Sequence, residues 1–583
     1  MKSVVELLAT ISMMLPKRLH WEEFYLRVVY FYLLLERKVR IMCRGLEAWQ
    51  IVTNTVLFML ALWLLVEILR WSIWWLFMQD ENIVLRFKKT TFKVMKFVRF
   101  FNGKRQNELD VKKNELEKSV LKQREEETYM TKLPKFGSPK EKIICSINNY
   151  RELGNLSLDT SSGVVYHGGK DLTEIQTEVF KKFVWSNPLH PDIFPGVRKM
   201  EAEIITICVD LFRGGKDACG TMTASGTNSI LMACKTYRDW ARDVKGVKKP
   251  EIVMSVSGHP AFEKAAEYFV MKIIKVPVNE KKRTVNIKAM KKAITRRTIM
   301  LVGAAPDYTS GIVDNIEEIA KLGKRYKIGV HVDACLGGFL LPFMKTAGYK
   351  VPSYDFSVDG VTSISADTHK YGYAPLGSSI IMYHSQSLRH YQYHTSTEWT
   401  GGIYATPAMP GSRPGVHIAQ CWATMMHLGN SGYTDAAKRI IRTTKVISDG
   451  LRQTKGLFVF GEPEICVVSF GSKQFNIFAL GDELTARNWK LTYLQYPTSL
   501  QICVTLPMTK SGVVERFLRD VKECSHKVLK NPQIKTTEAF QSAIYGTTVK
   551  ISNKTMVKEL ANHYLDMVFS TTTTLKPPQD NGI

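Results

Sequence analysis

The sequence predicts an α/β protein: a large domain on a mostly parallel sheet with covering helices, a smaller α/β domain after it, and one membrane-spanning helix in front. Three observations predict this. From Thr173 onward, short apolar runs rich in β-branched residues alternate with amphipathic helical stretches, the pattern of a covered parallel sheet. After about residue 430 that pattern gives way to a helix and a few short strands, which marks a second unit. Residues 51–78 form a nearly unbroken apolar run, longer than the about 20 residues that cross a hydrocarbon core.

Taken in order, residues 1–50 mix short apolar runs with charges. The first run, 4–15, ends at Pro16-Lys17-Arg18 and is too short to span a bilayer. Residues 51–78 carry Trp63, Trp71, Trp74 and Trp75, with Glu67 and Arg70 as the charges inside the run. Three positions apart, these two meet on one helix face. The run reads as a single-pass anchor rather than a buried globular helix. Basic residues flank it on both sides, so charge bias favours a cytoplasmic C-terminal side only slightly. Residues 79–132 are a basic juxtamembrane segment. Val94, Phe97 and Phe101 recur at helical spacing between Lys93, Lys96 and Arg99, predicting an interfacial helix on anionic lipid, followed by a charged helical stalk.

The large domain is expected over 133–430, with strands at 252–254, 273–276, 300–302, 330–332 and 379–382 and helices such as 316–325 between them. The small domain is expected over 431–569. It has helices at 436–454 and 513–530, and strands at 458–460, 466–470 and 502–506. The tail 570–583, with its threonine run and Pro577-Pro578, has the composition of a disordered segment.

A formal charge of +26 over 583 residues points to an anionic partner. No zinc-finger spacing, helix-turn-helix signal or RNP-type motif accompanies it, so nucleic acid is set aside. The ten cysteines form no CxxC pair, which argues against a disulfide scaffold or a zinc site and for reduced thiols; no metal centre is expected.

The chemistry centres on Ser363-Ile364-Ser365-Ala366-Asp367-Thr368-His369-Lys370-Tyr371-Gly372. The apolar run 356–364 reads as a buried strand that ends in a polar turn, with Lys370 at its tip. A lysine so placed forms a Schiff base with an aldehyde if a partly desolvated site keeps its amine unprotonated. Asp333, in His331-Val332-Asp333-Ala334, ends another buried run. A strand-end carboxylate beside a Schiff-base lysine is what pyridoxal phosphate requires, because the carboxylate keeps the pyridine nitrogen protonated. Both residues fall at strand carboxyl ends, where ligands of open α/β sheets sit. Ser225-Gly226-Thr227 lies in a small-residue turn that opens a helix, an anion site by its free N–H groups and dipole.

Several motifs here resemble the sphingosine-1-phosphate lyase family. They are Ser365–Pro375, His331–Phe339, Trp185–Gly196 and Gly401–Ala405, within a similarity that runs from about Thr173 to near Tyr545. The resemblance implies the fold-type I architecture of pyridoxal-phosphate enzymes, with Lys370 as the Schiff-base lysine and Asp333 as the pyridine partner. His259 would stack on the ring. His369, Ser225, Gly226 and Thr227 would hold the cofactor phosphate, and Asn187, His190 and Tyr404 would line the substrate site. It also implies a homodimer with interfacial active sites, and an endoplasmic-reticulum protein with its catalytic body in the cytosol. The implied reaction is retro-aldol cleavage of a phosphorylated long-chain base to a fatty aldehyde and phosphoethanolamine.

Departures from the family pattern stand out. The phosphate loop has Ser225-Gly226-Thr227-Asn228-Ser229 where relatives have Gly-Gly-Thr-Glu-Ser; a serine restricts that turn if it requires positive φ. After Lys370 the chain reads Ala374-Pro375-Leu376-Gly377, where relatives carry lysine at the position of Leu376. Two other readings therefore stay open: a related carboxy-lyase acting on a soluble amino acid, and a weak or inactive relative that kept the fold.

Overall fold

The computed structural model describes residues 21–42, 44–77, 129–154, 157–531 and 554–571, with isolated positions 91, 113 and 114. The expected interfacial helix, most of the stalk and nearly all of the tail lie outside the described residues. The chain divides into two units, residues 1–110 and 111–583.

In the first unit, helices run over Trp21–Met42 and Ala48–Phe77. Within the latter, Ala48–Arg70 is long and apolar enough to cross a membrane, with a mean hydropathy of 2.1 over its best window and no part of that window buried. Arg70 Nη1 meets Glu67 Oε1 at 3.2 Å, the pairing that their spacing requires.

The second unit is organised by a seven-stranded sheet: β1 (Cys219–Thr223), β2 (Glu251–Ser255), β3 (Lys272–Val276), β4 (Thr298–Ala304), β5 (Gly329–Asp333), β6 (Ser363–Ala366) and β7 (Ser379–Tyr383). Their order is β1-β7-β6-β5-β4-β2-β3. The strands from β6 to β3 are mutually parallel, and β7 runs antiparallel to both β6 and β1. Central strands such as β4 read as continuous apolar runs because helices cover both faces. One of those helices, Gly226–Lys245, starts at Ser225, whose side chain accepts from Asn228 N–H, and stops at Gly246, held at φ 66°. That left-handed conformation favours glycine and ends the helix.

A hairpin of β8 (His394–Ser396) and β9 (Tyr404–Thr406) follows. A second, antiparallel sheet joins β10 (Phe458–Val459), β11 (Val467–Gly471), β13 (Ser499–Cys503) and β12 (Thr492–Leu494), in that order. Helix Gly415–Gln453 precedes it and is broken at Gly429, where φ 54° and ψ −173° are not helical.

Two expectations change. Run 356–364 is not a strand along its length: β6 begins at Ser363. Phe356, Val358 and Val361 are buried in a turn organised by Asp355, which pairs with Arg213 Nε at 2.7 Å. Burial, not strand formation, is what their apolar character reports. Conversely, β1 is a buried strand where the small residues of 220–229 suggested a turn: Cys-Gly-Thr-Met-Thr has a glycine inside and no run of large apolar residues.

Candidate active site

The carboxyl edge of the large sheet collects the expected residues in strand order. Ser225–Thr227 follow β1, Lys370 follows β6, Asp333 ends β5, and His259 follows β2. Antiparallel β7 brings its first residue, Ser379, to the same edge, opposite Thr223.

The Lys370 turn is clamped from several sides. Gly372 lies so close to Thr368 that a Cβ there would sit 2.4 Å from the Thr368 carbonyl oxygen. Tyr433 Oη donates to the Gly372 carbonyl at 2.8 Å, and Tyr371 Oη donates to the Val504 carbonyl at 2.6 Å. Thr368 Oγ1 bonds Ser378 Oγ at 2.7 Å. His369 donates from Nδ1 to the Ser378 carbonyl at 2.5 Å, which leaves Nε2 facing the site.

The residue that sequence reasoning passed over is Asp367. Its carboxylate is 3% exposed and meets Lys370 Nζ at 2.8 Å. It also accepts from Ser379 Oγ at 2.7 Å. A chain of hydroxyls continues from Ser379 to Ser229 at 2.9 Å and on to Thr223 at 2.6 Å. A carboxylate three residues before a lysine in a tight turn was the available signal. The ion pair also corrects the expectation of an unprotonated amine. Burial alone would push Lys370 down, but the charge of Asp367 outweighs it and, with Cys335, a hydrogen bond to Asp367 and Asp333, holds the amine above its ordinary value. Lysine attack on an aldehyde then requires loss of this proton.

Gly226 faces the same carboxylate: a Cβ on it would come within 2.5 Å of both Asp367 oxygens. Glycine is demanded there by close approach. Ser225, by contrast, has φ −174° and ψ 164°, an extended conformation open to any residue, so its Cβ does not strain the turn. Its hydroxyl accepts from Asn228 N–H at 3.2 Å. The N–H groups of Gly226 and Thr227 at the helix start then remain for an anion.

Asp333 Oδ1 accepts from Cys335 N–H at 3.1 Å and from Ser365 Oγ at 3.5 Å. Beneath it, His331 is fully buried between Ser363 Oγ (2.8 Å) and Ser365 Oγ (3.2 Å). Burial pushes its imidazole down to about 4, so it stays neutral. His259 is half-buried, and its Nδ1 accepts from Ala261 N–H at 3.1 Å, which places the proton on Nε2.

The expected substrate residues form a separate group. Asn187 Nδ2 donates to Ser412 Oγ at 3.1 Å, and its Oδ1 accepts from Arg413 N–H at 3.3 Å. Arg413 is held by Glu201 in a two-pronged pair at 2.7 and 3.0 Å. Tyr404, in β9, packs its hydroxyl against Gly411 of the same segment, where a Cβ would come to 2.3 Å. His190 is exposed. Leu376 is 76% exposed, so it does not pack into the body.

A family model described as the pyridoxal-dependent decarboxylase conserved domain matches residues 164–473. The chain is 43% identical over 543 residues to sphingosine-1-phosphate lyase 1 of Mus musculus, covering 93% of each protein. It is 37% identical to sphingosine-1-phosphate lyase of Saccharomyces cerevisiae, covering 83% of this chain and 82% of the relative. The structure of a sphingosine-1-phosphate lyase from Burkholderia pseudomallei aligns with a TM-score of 0.71 at 32% identity, over 77% of this chain and 99% of that one. Glutamate decarboxylase of Lactobacillus brevis, at 18% identity and TM-score 0.60, covers 70% of this chain and 97% of its own and shares the fold. By this identity and coverage, carried through the Lys370 turn and the strand ends around it, the chain belongs to the sphingosine-1-phosphate lyase family.

Proposed function

We propose that the chain is a pyridoxal-phosphate-dependent carbon–carbon lyase that cleaves phosphorylated sphingoid bases to a long-chain aldehyde and phosphoethanolamine. The observation that carries this is one sheet edge holding Lys370, Asp333 and the Ser225–Thr227 helix start, in a chain 43% identical to such lyases along most of its length.

The residues present fit the cofactor. The Gly226 cradle is open where a side chain would collide with Asp367, and two N–H groups stand free at a helix start. Ser225, Gly226, Thr227 and His369 Nε2 would hold its phosphate, His259 its ring face and Asp333 its ring nitrogen. When bound, pyridoxal phosphate supplies an aldehyde for an amine and a protonated ring that accepts electrons. Asp367 pairs with Lys370 Nζ and fixes the amine at the strand end, so the amine acts as a nucleophile once its proton has been passed on. Asp333, fixed by Cys335 N–H, keeps its charge aimed at one atom. Asn187, His190 and Tyr404 orient the substrate from the segment anchored by Arg413.

The large and small sheets, with the helix broken at Gly429 between them, support a two-domain catalytic body over 133–430 and 431–569. The exposed Trp185, Ile193, Trp399 and Ile403 on segments around the site support a homodimer closing over it. The Ala48–Arg70 helix supports a single-pass signal-anchor contacting lipid; the slight excess of basic residues after it and the family resemblance support a body on the cytosolic side of the endoplasmic reticulum. At about 1.5 Å per residue its 23 residues reach across an about 30 Å core. Removal of residues 1–105 is expected to give a protein that fractionates as soluble and still retains cofactor. A truncate that stays in the membrane pellet without aggregating would place the membrane contact elsewhere.

The exposure of Leu376 also yields an expectation. Leu376→Lys should raise kcat/KM on phosphorylated sphingoid bases, since a charged hydrogen bond to phosphate is worth about 1.5–3 kcal/mol, roughly ten- to a hundredfold in rate. Tm should not move, because the side chain it replaces is in solvent. An unchanged kcat/KM with cofactor retained would mean that the substrate phosphate does not approach this turn.

A further inference from the structure

We infer that the protein carries a second anion site, which takes a single-chain amphiphile with an anionic head. The site is a cavity of about 710 Å³ between the β2–β3 side of the large sheet, the small sheet and the C-terminal helix Lys554–Phe569. None of Lys370, Asp333, His259 or Ser225–Thr227 lines it. Its walls are apolar at Val256, Phe460, Leu494, Pro497 and Val557. Its size is that of a small-molecule pocket.

Arg283 is the cation of this cavity. It is presented by a tight turn in which Val278 pairs with Val285 and Arg283 N–H donates to the Asn279 carbonyl at 2.8 Å, with Arg283 itself at φ 60°. The stem runs past Gly461, where a Cβ would come to 3.2 Å of Arg283 Cγ, and the guanidinium lies 5.5 Å from the Phe460 ring centroid. Among the described residues Arg283 has no carboxylate partner, and its Nε is buried without an acceptor. A buried donor left unpaired is costly, and a planar guanidinium matches phosphate or carboxylate.

The other basic group of the lining and the hydroxyls nearest Arg283 already have partners, while Gln495 and Tyr496 add neutral polar groups. Lys275 pairs with Glu263 at 2.7 Å. Thr309 Oγ1 donates to Asp307 at 2.6 Å, Ser310 Oγ also donates to Asp307, and Ser469 Oγ donates to the Thr309 carbonyl. Among the described residues the cavity thus offers one cation without an acidic partner, beside an apolar stretch of Val256, Phe460, Leu494, Pro497 and Val557, which suits an alkyl chain with an anionic head. Two sources share that chemistry: the phosphorylated long-chain base itself, and an anionic single-chain lipid.

The test uses the full chain in phosphatidylcholine nanodiscs and labelled hexadecyl phosphate, corrected for uptake by empty discs, with inorganic phosphate and hexadecanol as half-ligands. Hexadecyl phosphate is expected to bind saturably, and each half-ligand at least about tenfold more weakly. Arg283→Gln should lose at least about tenfold in affinity, with Arg283→Lys in between and the absorbance of bound cofactor unchanged. If Arg283→Gln lowers Tm, Val557→Asp, in the apolar part of the same lining, should produce the same loss. Wild-type affinity in both variants overturns the inference, and so does hexadecyl phosphate binding no tighter than hexadecanol. Kinetics identify the source. A raised KM for sphingosine 1-phosphate at constant kcat in Arg283→Gln assigns the cavity to substrate; an unchanged KM with hexadecyl phosphate binding lost assigns it to a separate lipid. Arg283-dependent binding in a wild type that releases no aldehyde would sink the lyase reading and leave this site standing.

Discussion

Lys370→Ala is expected to reduce aldehyde release on the order of 10⁴-fold or more, the scale of losing a covalent nucleophile. Borohydride treatment should fix pyridoxal phosphate to the parent chain and not to the variant. The fold should survive, because Lys370 sits on a turn past β6 and not in the core. Stability should nonetheless fall. Asp367 is 3% exposed and loses the ammonium now 2.8 Å away, and a buried charge stripped of its partner costs about 3–5 kcal/mol. A lower Tm with folded secondary structure is therefore part of the expected result. Undiminished borohydride labelling of the variant would remove Lys370 from its role.

Asp333→Asn should leave cofactor bound and slow turnover severely. The carboxylate is fixed at the end of β5 by Cys335 N–H at 3.1 Å, so the amide can occupy the same place. It cannot supply the charge that keeps the pyridine nitrogen protonated. Removing one partner of such a pair costs about 3–5 kcal/mol, roughly a hundredfold to several thousandfold in kcat. KM should change far less, since this loss falls on the electron-accepting step. Turnover within a few-fold of the parent would assign the ring nitrogen to another residue.

How much of this was legible in the sequence differs from residue to residue. Asp333 could be read because the buried strand before it is a largely apolar run whose polar end marks the carboxyl edge where ligands bind; Lys370 was legible from its polar turn and the motif around it, although its strand is only Ser363–Ala366. Helices 316–325 and 513–530 were legible from the helical period of their apolar residues. Asp367 was not, because its role depends on the fold of the turn after β6, which sets its carboxylate against Lys370 and against Ser379 of a neighbouring strand. The strain expected at Ser225 vanished for a similar reason: φ is a property of the folded loop, and it is extended. Strand β1 was hidden by its small residues. Run 356–364 misled because apolar residues are buried in irregular structure as well as in strands. Arg283 carried no motif at all. Only the folding of its turn against Phe460 and Gly461 sets it into a cavity.

The most direct measurement is product analysis with the purified full-length protein, pyridoxal phosphate and sphingosine 1-phosphate. The account expects a long-chain aldehyde and phosphoethanolamine in equal amounts, abolished by Lys370→Ala, with no carbon dioxide from glutamate or aromatic amino acids. Cofactor bound through Lys370 without aldehyde release, or carbon dioxide released from an amino acid in its place, would contradict it.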